Sequence, residues 1–205
     1  MHLVDTGSKH VFRFDNVIEP EVCAELSRLI IAAKGGKQHE DDEKMPWVDG
    51  DTLVWHELQD KHLLRKVIEH RACVASLVQQ CFHQQVFPEY TTIVLWKEGK
   101  SHPRHKDNGY PSDNGILKNR IFTSITYLNE GYEGGETFIQ TEHGNDYISV
   151  PKTGSTVIFP SDETAEHGVN KVTDGMRVTL PIWFCAKLVD SEDKFLPGIL
   201  QRLSQ

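Results

Sequence analysis

From Thr91 to Cys185 the chain is a succession of short strand-like runs with turn residues between them, and this limits the folds open to it more than any other feature. Thr91-Thr92-Ile93-Val94-Leu95-Trp96 is rich in β-branched and aromatic residues and is turned by Glu98-Gly99-Lys100. Further strands are expected at 121–128, 136–140, 147–150, 155–160, 167–172 and 177–185, separated by Gly134-Gly135, Pro151, Gly154, Pro160 and Asp174-Gly175. Many short strands with turn signals and no intervening helix predict a β-sandwich or barrel.

Residues 1–90 read differently. Val11-Phe12-Arg13-Phe14 predicts a first strand, and Pro20 then opens a helix at a position where its missing N–H costs nothing. Val22, Leu26, Leu29, Ile30 and Ala33 share one face of that helix, and Gly35-Gly36 stops it. A polar, acidic stretch, 37–51, has no core pattern and predicts a loop, a lid over a site or plain disorder; its Trp47 is either a substrate contact or a pin. Thr52-Leu53-Val54-Trp55 is strand-like again. Between His62 and Phe82 a second helix carries Leu64, Val67, Ile68, Val74, Ala75, Val78, Cys81 and Phe82 on its apolar side, with His62, His70 and His83 read as surface residues. The expectation is one domain over 1–205: helical support and lid loop in 1–90, the β core in 91–187, and a C-terminal extension in 188–205.

A chain of 205 residues can bury a substantial core, and its 38% hydrophobic and 25% charged content are those of a globular protein. The net charge of −8 argues against nucleic acid or an anionic membrane as the main partner, although Lys97, Lys100, Arg104 and Lys106 form a local basic rim. No apolar run approaches the ~20 residues of a membrane helix, and the first residues lack the pattern of a secretory signal. Cys23, Cys73, Cys81 and Cys185 are scattered without a C-x-x-C pair and read as small buried hydrophobes. A reducing, cytoplasmic setting is the expectation; the oligomeric state is not legible.

The chemistry centres on His105-Lys106-Asp107-Asn108. A histidine and a carboxylate two residues apart project to the same side of an extended backbone and can grip one metal ion. His167 follows far downstream, and Arg177 stands ten residues beyond it. Two imidazoles and one carboxylate form the facial triad that holds ferrous iron with coordination positions open. An arginine on a nearby strand can take a carboxylate in a two-pronged pair, and alternation puts Thr179 on its face. A buried arginine without a partner is costly, so an inward Arg177 implies an anion opposite it. Taken singly, these residues also suit a surface H-x-D, a core-edge histidine and an ordinary salt bridge. His102 reads as lining the entrance or facing solvent, and His143 as a hairpin residue. Trp183 shares the face of Arg177 and is core or pocket wall.

The segment from Phe12 to Lys187 resembles the iron(II)- and 2-oxoglutarate-dependent dioxygenases of the prolyl hydroxylase type. The matching stretches are Glu19-Pro20-Glu21-Val22-Cys23, Trp96-Lys97-Glu98-Gly99, His105-Lys106-Asp107-Asn108, Ile125-Thr126-Tyr127-Leu128-Asn129, Glu133-Gly134-Gly135-Glu136-Thr137, and His167-Gly168-Val169 through Arg177 to Trp183-Phe184. The last is similar to prolyl 3-hydroxylases, whereas Gly-Gly-Glu-Thr is similar to prolyl 4-hydroxylases. The resemblance implies a double-stranded β-helix, or jelly roll, with Fe(II) on His105, Asp107 and His167. It implies 2-oxoglutarate as co-substrate, its far carboxylate on Arg177 with help from Tyr127 and Thr179, and O2 and ascorbate as further requirements. The implied reaction hydroxylates an unactivated C–H bond of a prolyl or other aminoacyl group in a small molecule, peptide or protein loop, releasing succinate and CO2. Trp96 stands where prolyl 4-hydroxylases carry a tyrosine, which puts its co-substrate contact in doubt, since an indole N–H donates but does not accept. The loop 109–120 is longer than in many relatives. Arg104, Asn108, Trp183 and Trp47 are the candidate substrate contacts. A catalytically silent module of the same fold, and a cupin-type iron oxygenase without 2-oxoglutarate, are the rival readings; the complete triad speaks against the first, and Arg177 with Tyr127 against the second.

Overall fold

The computed structural model describes residues 1–34, 51–109 and 117–204. In chain order the first strands are β1 (His2–Val4), β2 (Phe12–Asp15), β3 (Asp51–Val54), β4 (Phe87–Lys97), β5 (His102–His105) and β6 (Arg120–Tyr127). They are followed by β7 (Glu133–Gly134), β8 (Thr137–Gln140), β9 (Asp146–Ser149), β10 (Thr156–Pro160), β11 (His167–Val169), β12 (Val172–Asp174) and β13 (Met176–Cys185). The helices are α1 (Pro20–Lys34), α2 (Lys61–Phe82) and α3 (Leu196–Ser204).

Two antiparallel sheets face one another, as the jelly-roll expectation requires. The larger runs β1-β2-β10-β6-β13-β4-β3 and the smaller β5-β11-β8-β9, with β7 and β12 forming a separate ribbon. Period-two alternation gives β13 two characters. Val178, Leu180, Ile182 and Phe184 are completely buried on the outer face. There Val178 and Leu180 join Val22, Leu26 and Ile30 of α1 and Leu64 and Val67 of α2, while Ile182 and Phe184 join Val74, Leu77 and Val78 of α2. At roughly 1.5–3 kcal/mol per buried aliphatic side chain, this seam is what holds the helices to the sheet. Between the sheets, Ile125, Ile139, Val157 and Phe159 fill one end and Val94, Trp96, Val169 and Val172 the other.

Local chemistry explains the helix ends. α1 begins at Pro20 with Glu21 in its first turn and ends on Lys34, charges that complement the helix dipole. The Asp60 carboxylate accepts the Leu63 N–H at 2.9 Å to cap α2, and His83 ends it in the left-handed conformation at φ 52°.

Several expectations change. The first 90 residues are more than helical support, because β1, β2 and β3 extend both edges of the larger sheet. The expected strand at 167–172 is two strands, β11 and β12, in different sheets. His70 is not a surface residue: it is 3% exposed, with Nε2 3.0 Å from the Thr126 hydroxyl on the outer face of β6. The loop predicted over 37–51, with Trp47, lies outside the described residues except for Asp51, which opens β3. All four cysteines are free; Cys23 and Cys185 are buried, Cys73 and Cys81 half-buried. Among the described residues no helix is long and apolar enough to cross a membrane. The extension after Lys187 is folded. Its Glu192 and Asp193 meet Arg71 of α2 at 3.0 and 2.7 Å, and Arg71 stacks over Trp55 at 3.9 Å.

Candidate active site

Pairing of β5 with β11 sets His105 opposite His167, so both imidazoles point between the sheets. Gly168 permits the approach, since a Cβ there would lie 2.7 Å from the His102 carbonyl. Asp107 follows directly after β5. Its neighbour Asn108 donates its backbone N–H to the Ser161 carbonyl at 2.9 Å, and the Thr123 hydroxyl of β6 donates to Asp107 Oδ2 at 2.6 Å. Asp107 Oδ1 stands 3.6 Å from His105 Nε2, and Oδ2 stands 3.3 Å from His167 Nε2. One ligand atom from each of the three residues falls within 4.8 Å of the others.

His105 Nδ1 lies 2.9 Å from the Pro103 carbonyl and His167 Nδ1 3.4 Å from the Ala165 carbonyl. An Nδ1–H donated to each carbonyl leaves both Nε2 lone pairs facing Asp107, the tautomer a metal needs. Burial alone would raise the Asp107 carboxyl; His167, His105 and Thr123 outweigh it and hold the group well below the usual carboxylate range. Burial pushes His167 down to about 4 against the pull of Asp107. An ionised carboxylate beside a neutral, buried imidazole is a donor set suited to Fe(II).

Arg177 lies one layer deeper on β13, opposite Trp96 of β4, and is 1% exposed. Its Nη2 donates to the Thr137 hydroxyl at 3.1 Å and its Nη1 reaches Thr179 Oγ1 at 3.4 Å. The Tyr127 hydroxyl is 2.9 Å from the same Thr137 oxygen and 3.0 Å from the Ser149 carbonyl. Trp96 and Tyr127 present their rings to the guanidinium at 5.6 and 5.5 Å. Among the described residues no carboxylate lies within ion-pair distance of Arg177, and its Nε has no hydrogen-bond partner. Ser149 Oγ, opposite Thr137 in the β8–β9 register, is also buried without a partner. A buried cation ringed by neutral donors and lacking a counter-charge fits a carboxylate supplied from outside.

A row of side chains crosses the inner face beside the metal ligands. Phe159, Thr123, Trp183 and Tyr90 are successive register partners across β10, β6, β13 and β4. Phe159 packs on His167 at 4.6 Å, while Trp183 stacks on Tyr90 at 5.8 Å and carries Arg120 over its ring at 4.5 Å. Trp183 is half-buried on this face, and its indole N–H is enclosed without an acceptor.

The other expected substrate contacts separate. Asn108 stays beside the ligands with Oδ1 buried and unpartnered. Arg104 alternates away from His105 and is held by Asp146 at 2.7 Å and the Glu166 carbonyl at 3.2 Å. The basic rim is likewise met by acids, Lys97 by Asp51 and Lys106 by Glu163. His102 is outside the ligand group, its ring against that of His105 at 3.9 Å. Sequence reasoning missed Thr123, Thr137, Tyr90 and Arg120. Thr137 ended a motif already singled out, but its contact with Arg177 depends on the pairing of β8 inside the smaller sheet.

Residues 88–185 match the model of the 2OG-Fe(II) oxygenase superfamily. The chain is 37% identical to prolyl 3-hydroxylase 2 of Gallus gallus over 87% of its own length and 30% of that protein. It is 31% identical to a PKHD-type hydroxylase of Prochlorococcus marinus over 74% of this chain and 64% of that one. In fold it resembles a Trichoplax adhaerens prolyl hydroxylase solved with a peptide of the hypoxia inducible factor oxygen degradation domain. That match has a TM-score of 0.68 and 15% identity, covering 88% of this chain and 85% of the other. The chain therefore spans less than a third of the prolyl 3-hydroxylase it matches. The chain thus resembles the 2OG-Fe(II) oxygenase superfamily, and His105, Asp107 and His167 all lie within the matched residues.

Proposed function

We propose that this chain hydroxylates a prolyl residue in an extended peptide or protein loop, using Fe(II), 2-oxoglutarate and O2. The observation that carries the reading is Arg177: a buried cation without a carboxylate, in the same interior as His105, Asp107 and His167. Iron held by these three residues would supply the oxidising chemistry. The protein's own groups do the positioning. Arg177, with Thr137, Thr179 and Tyr127 around it, fixes the far carboxylate of 2-oxoglutarate. Thr123 holds the Asp107 carboxylate in one orientation through its 2.6 Å hydrogen bond. Phe159 and the packed aromatic interior exclude water from His167.

The Tyr90–Trp183 pair supports the substrate class. The half-buried aromatic surface of this pair suits the apolar pyrrolidine ring, as aromatic-lined grooves receive proline-rich chains elsewhere. The enclosed Trp183 N–H is a donor for a backbone carbonyl of the bound chain. The names of the relatives, prolyl 3-hydroxylase and prolyl hydroxylase, lie in the same direction.

The test is incubation with Fe(II), 2-oxoglutarate, ascorbate to keep the iron reduced, and a panel of proline-containing peptides, following succinate and the addition of one oxygen to the peptide. Asp107→Ala should abolish both signals. Succinate without any modified peptide across the panel would sink the prolyl reading, and no succinate at all would favour the silent module.

A further inference from the structure

Beyond the hydroxyls already described, the Arg177 chamber has a second unsatisfied wall. Tyr132, in the turn after β6, has its hydroxyl fully enclosed and without a hydrogen-bond partner, and Arg177 Nε is enclosed and unpartnered as well. Gly135 joins the two. A Cβ on it would stand 3.1 Å from Arg177 Cδ and 3.1 Å from Tyr132 Cε2, so the bare Cα lies close against both the ring and the arginine stem. Gly135 also holds φ at +67°, a conformation that side chains resist. The phenol is therefore brought to the guanidinium by a backbone feature that serves that approach.

We propose that Tyr132 is a further co-substrate-binding residue, its hydroxyl accepting from Arg177 Nε–H and donating to the distal carboxylate of 2-oxoglutarate. The inference rests on the reading of Arg177 as the anchor of that carboxylate. The complementarity is one of atoms. Arg177 Nε offers a proton with nothing to receive it, and the unpartnered Tyr132 phenol can accept that proton while donating its own. Burial keeps the Tyr132 phenol protonated, pushing it well above its ordinary range while the nearby Arg177 charge pulls the other way. A protonated phenol adds a hydrogen bond to an anion without adding a second charge to be buried.

Tyr132→Phe keeps the ring that packs against Gly135 and removes only the hydroxyl. The measurement is anaerobic calorimetric titration of the Fe(II)-loaded protein with 2-oxoglutarate and with 2-oxovalerate, which chelates alike but lacks the distal carboxylate. In the wild type, 2-oxoglutarate should bind the more tightly. Tyr132→Phe should weaken 2-oxoglutarate about tenfold, the scale of one hydrogen bond to a charged group, and leave 2-oxovalerate unchanged. Equal affinities for 2-oxoglutarate in wild type and variant, or equal weakening of both ligands, would overturn the role of Tyr132 while leaving Arg177 as anchor. A wild type that does not distinguish the two ligands would instead overturn the Arg177 reading, and Tyr132 with it.

Discussion

Arg71 and Arg177 are both buried, 2% and 1% exposed, and the protein treats them in opposite ways. Arg71, at the outer face, stacks on Trp55, donates to the Thr91 hydroxyl at 3.1 Å and meets the carboxylates of Glu192 and Asp193. It ties the C-terminal extension to α2. Arg177, at the inner face, finds hydroxyls and aromatic rings but no carboxylate among the described residues. Burying a charge costs several kcal/mol unless an opposite charge is at hand. One arginine is compensated within the fold. The other has its compensation left to a ligand, which is how a static structure distinguishes a structural cation from a binding one.

The comparison can be broken at either end. Arg71→Met would leave Glu192 buried beside no cation and should destabilise by about 3–5 kcal/mol in urea unfolding; a loss below about 1 kcal/mol would mean that the ion pairs are ornamental. Arg177→Met should leave stability without ligand unchanged or raised, because it removes an uncompensated buried charge. It should weaken 2-oxoglutarate on the order of 100-fold. Added 2-oxoglutarate should then raise the unfolding temperature of the wild type but not of this variant. If Arg177→Met instead unfolds the protein as Arg71→Met does, Arg177 is structural.

His70 sharpens the contrast as a third buried basic group, one that avoids its cost by staying neutral. Burial lowers it to about 4, against an ordinary value of 6.5. Below pH 6.5 the unfolded chain binds a proton that the folded chain refuses, so stability is full above that pH and falls until about pH 4. The loss is on the order of 3 kcal/mol. His167 titrates in the same direction, so the difference between wild type and His70→Asn across this window isolates His70; identical pH profiles would contradict its buried neutral state. The smallest expected effect is Gly135→Ala, whose methyl must displace Arg177 and Tyr132 at a positive φ. It should cost about 1 kcal/mol or more of stability and weaken 2-oxoglutarate with it. An affinity unchanged in Gly135→Ala would separate that turn from the co-substrate chamber.

The directions of His105, Asp107 and Arg177 could be read from the chain because alternation or short spacing fixes each. His105 and Asp107 are two residues apart, and Arg177, Thr179 and Trp183 alternate against Val178, Leu180 and Ile182 along one strand. What escaped reading depends on partners far away in sequence. His70 reads as a surface residue in the sequence because its hydroxyl partner, Thr126, is 56 residues distant. The neighbours of Trp183, Thr123 on one side and Tyr90 on the other, depend on strand register that the chain alone does not declare. β1 is three residues long, too short for periodicity to declare it, and it forms only because the larger sheet offers a free edge.

The most direct test of the account is anaerobic addition of Fe(II) and then 2-oxoglutarate to the purified apo-protein, watching the weak visible charge-transfer band of the chelate. The account predicts that the band forms in the wild type, is lost in His167→Ala, and needs far more 2-oxoglutarate in Arg177→Met. Iron binding without a band in the wild type, or the same 2-oxoglutarate requirement in Arg177→Met, would contradict it.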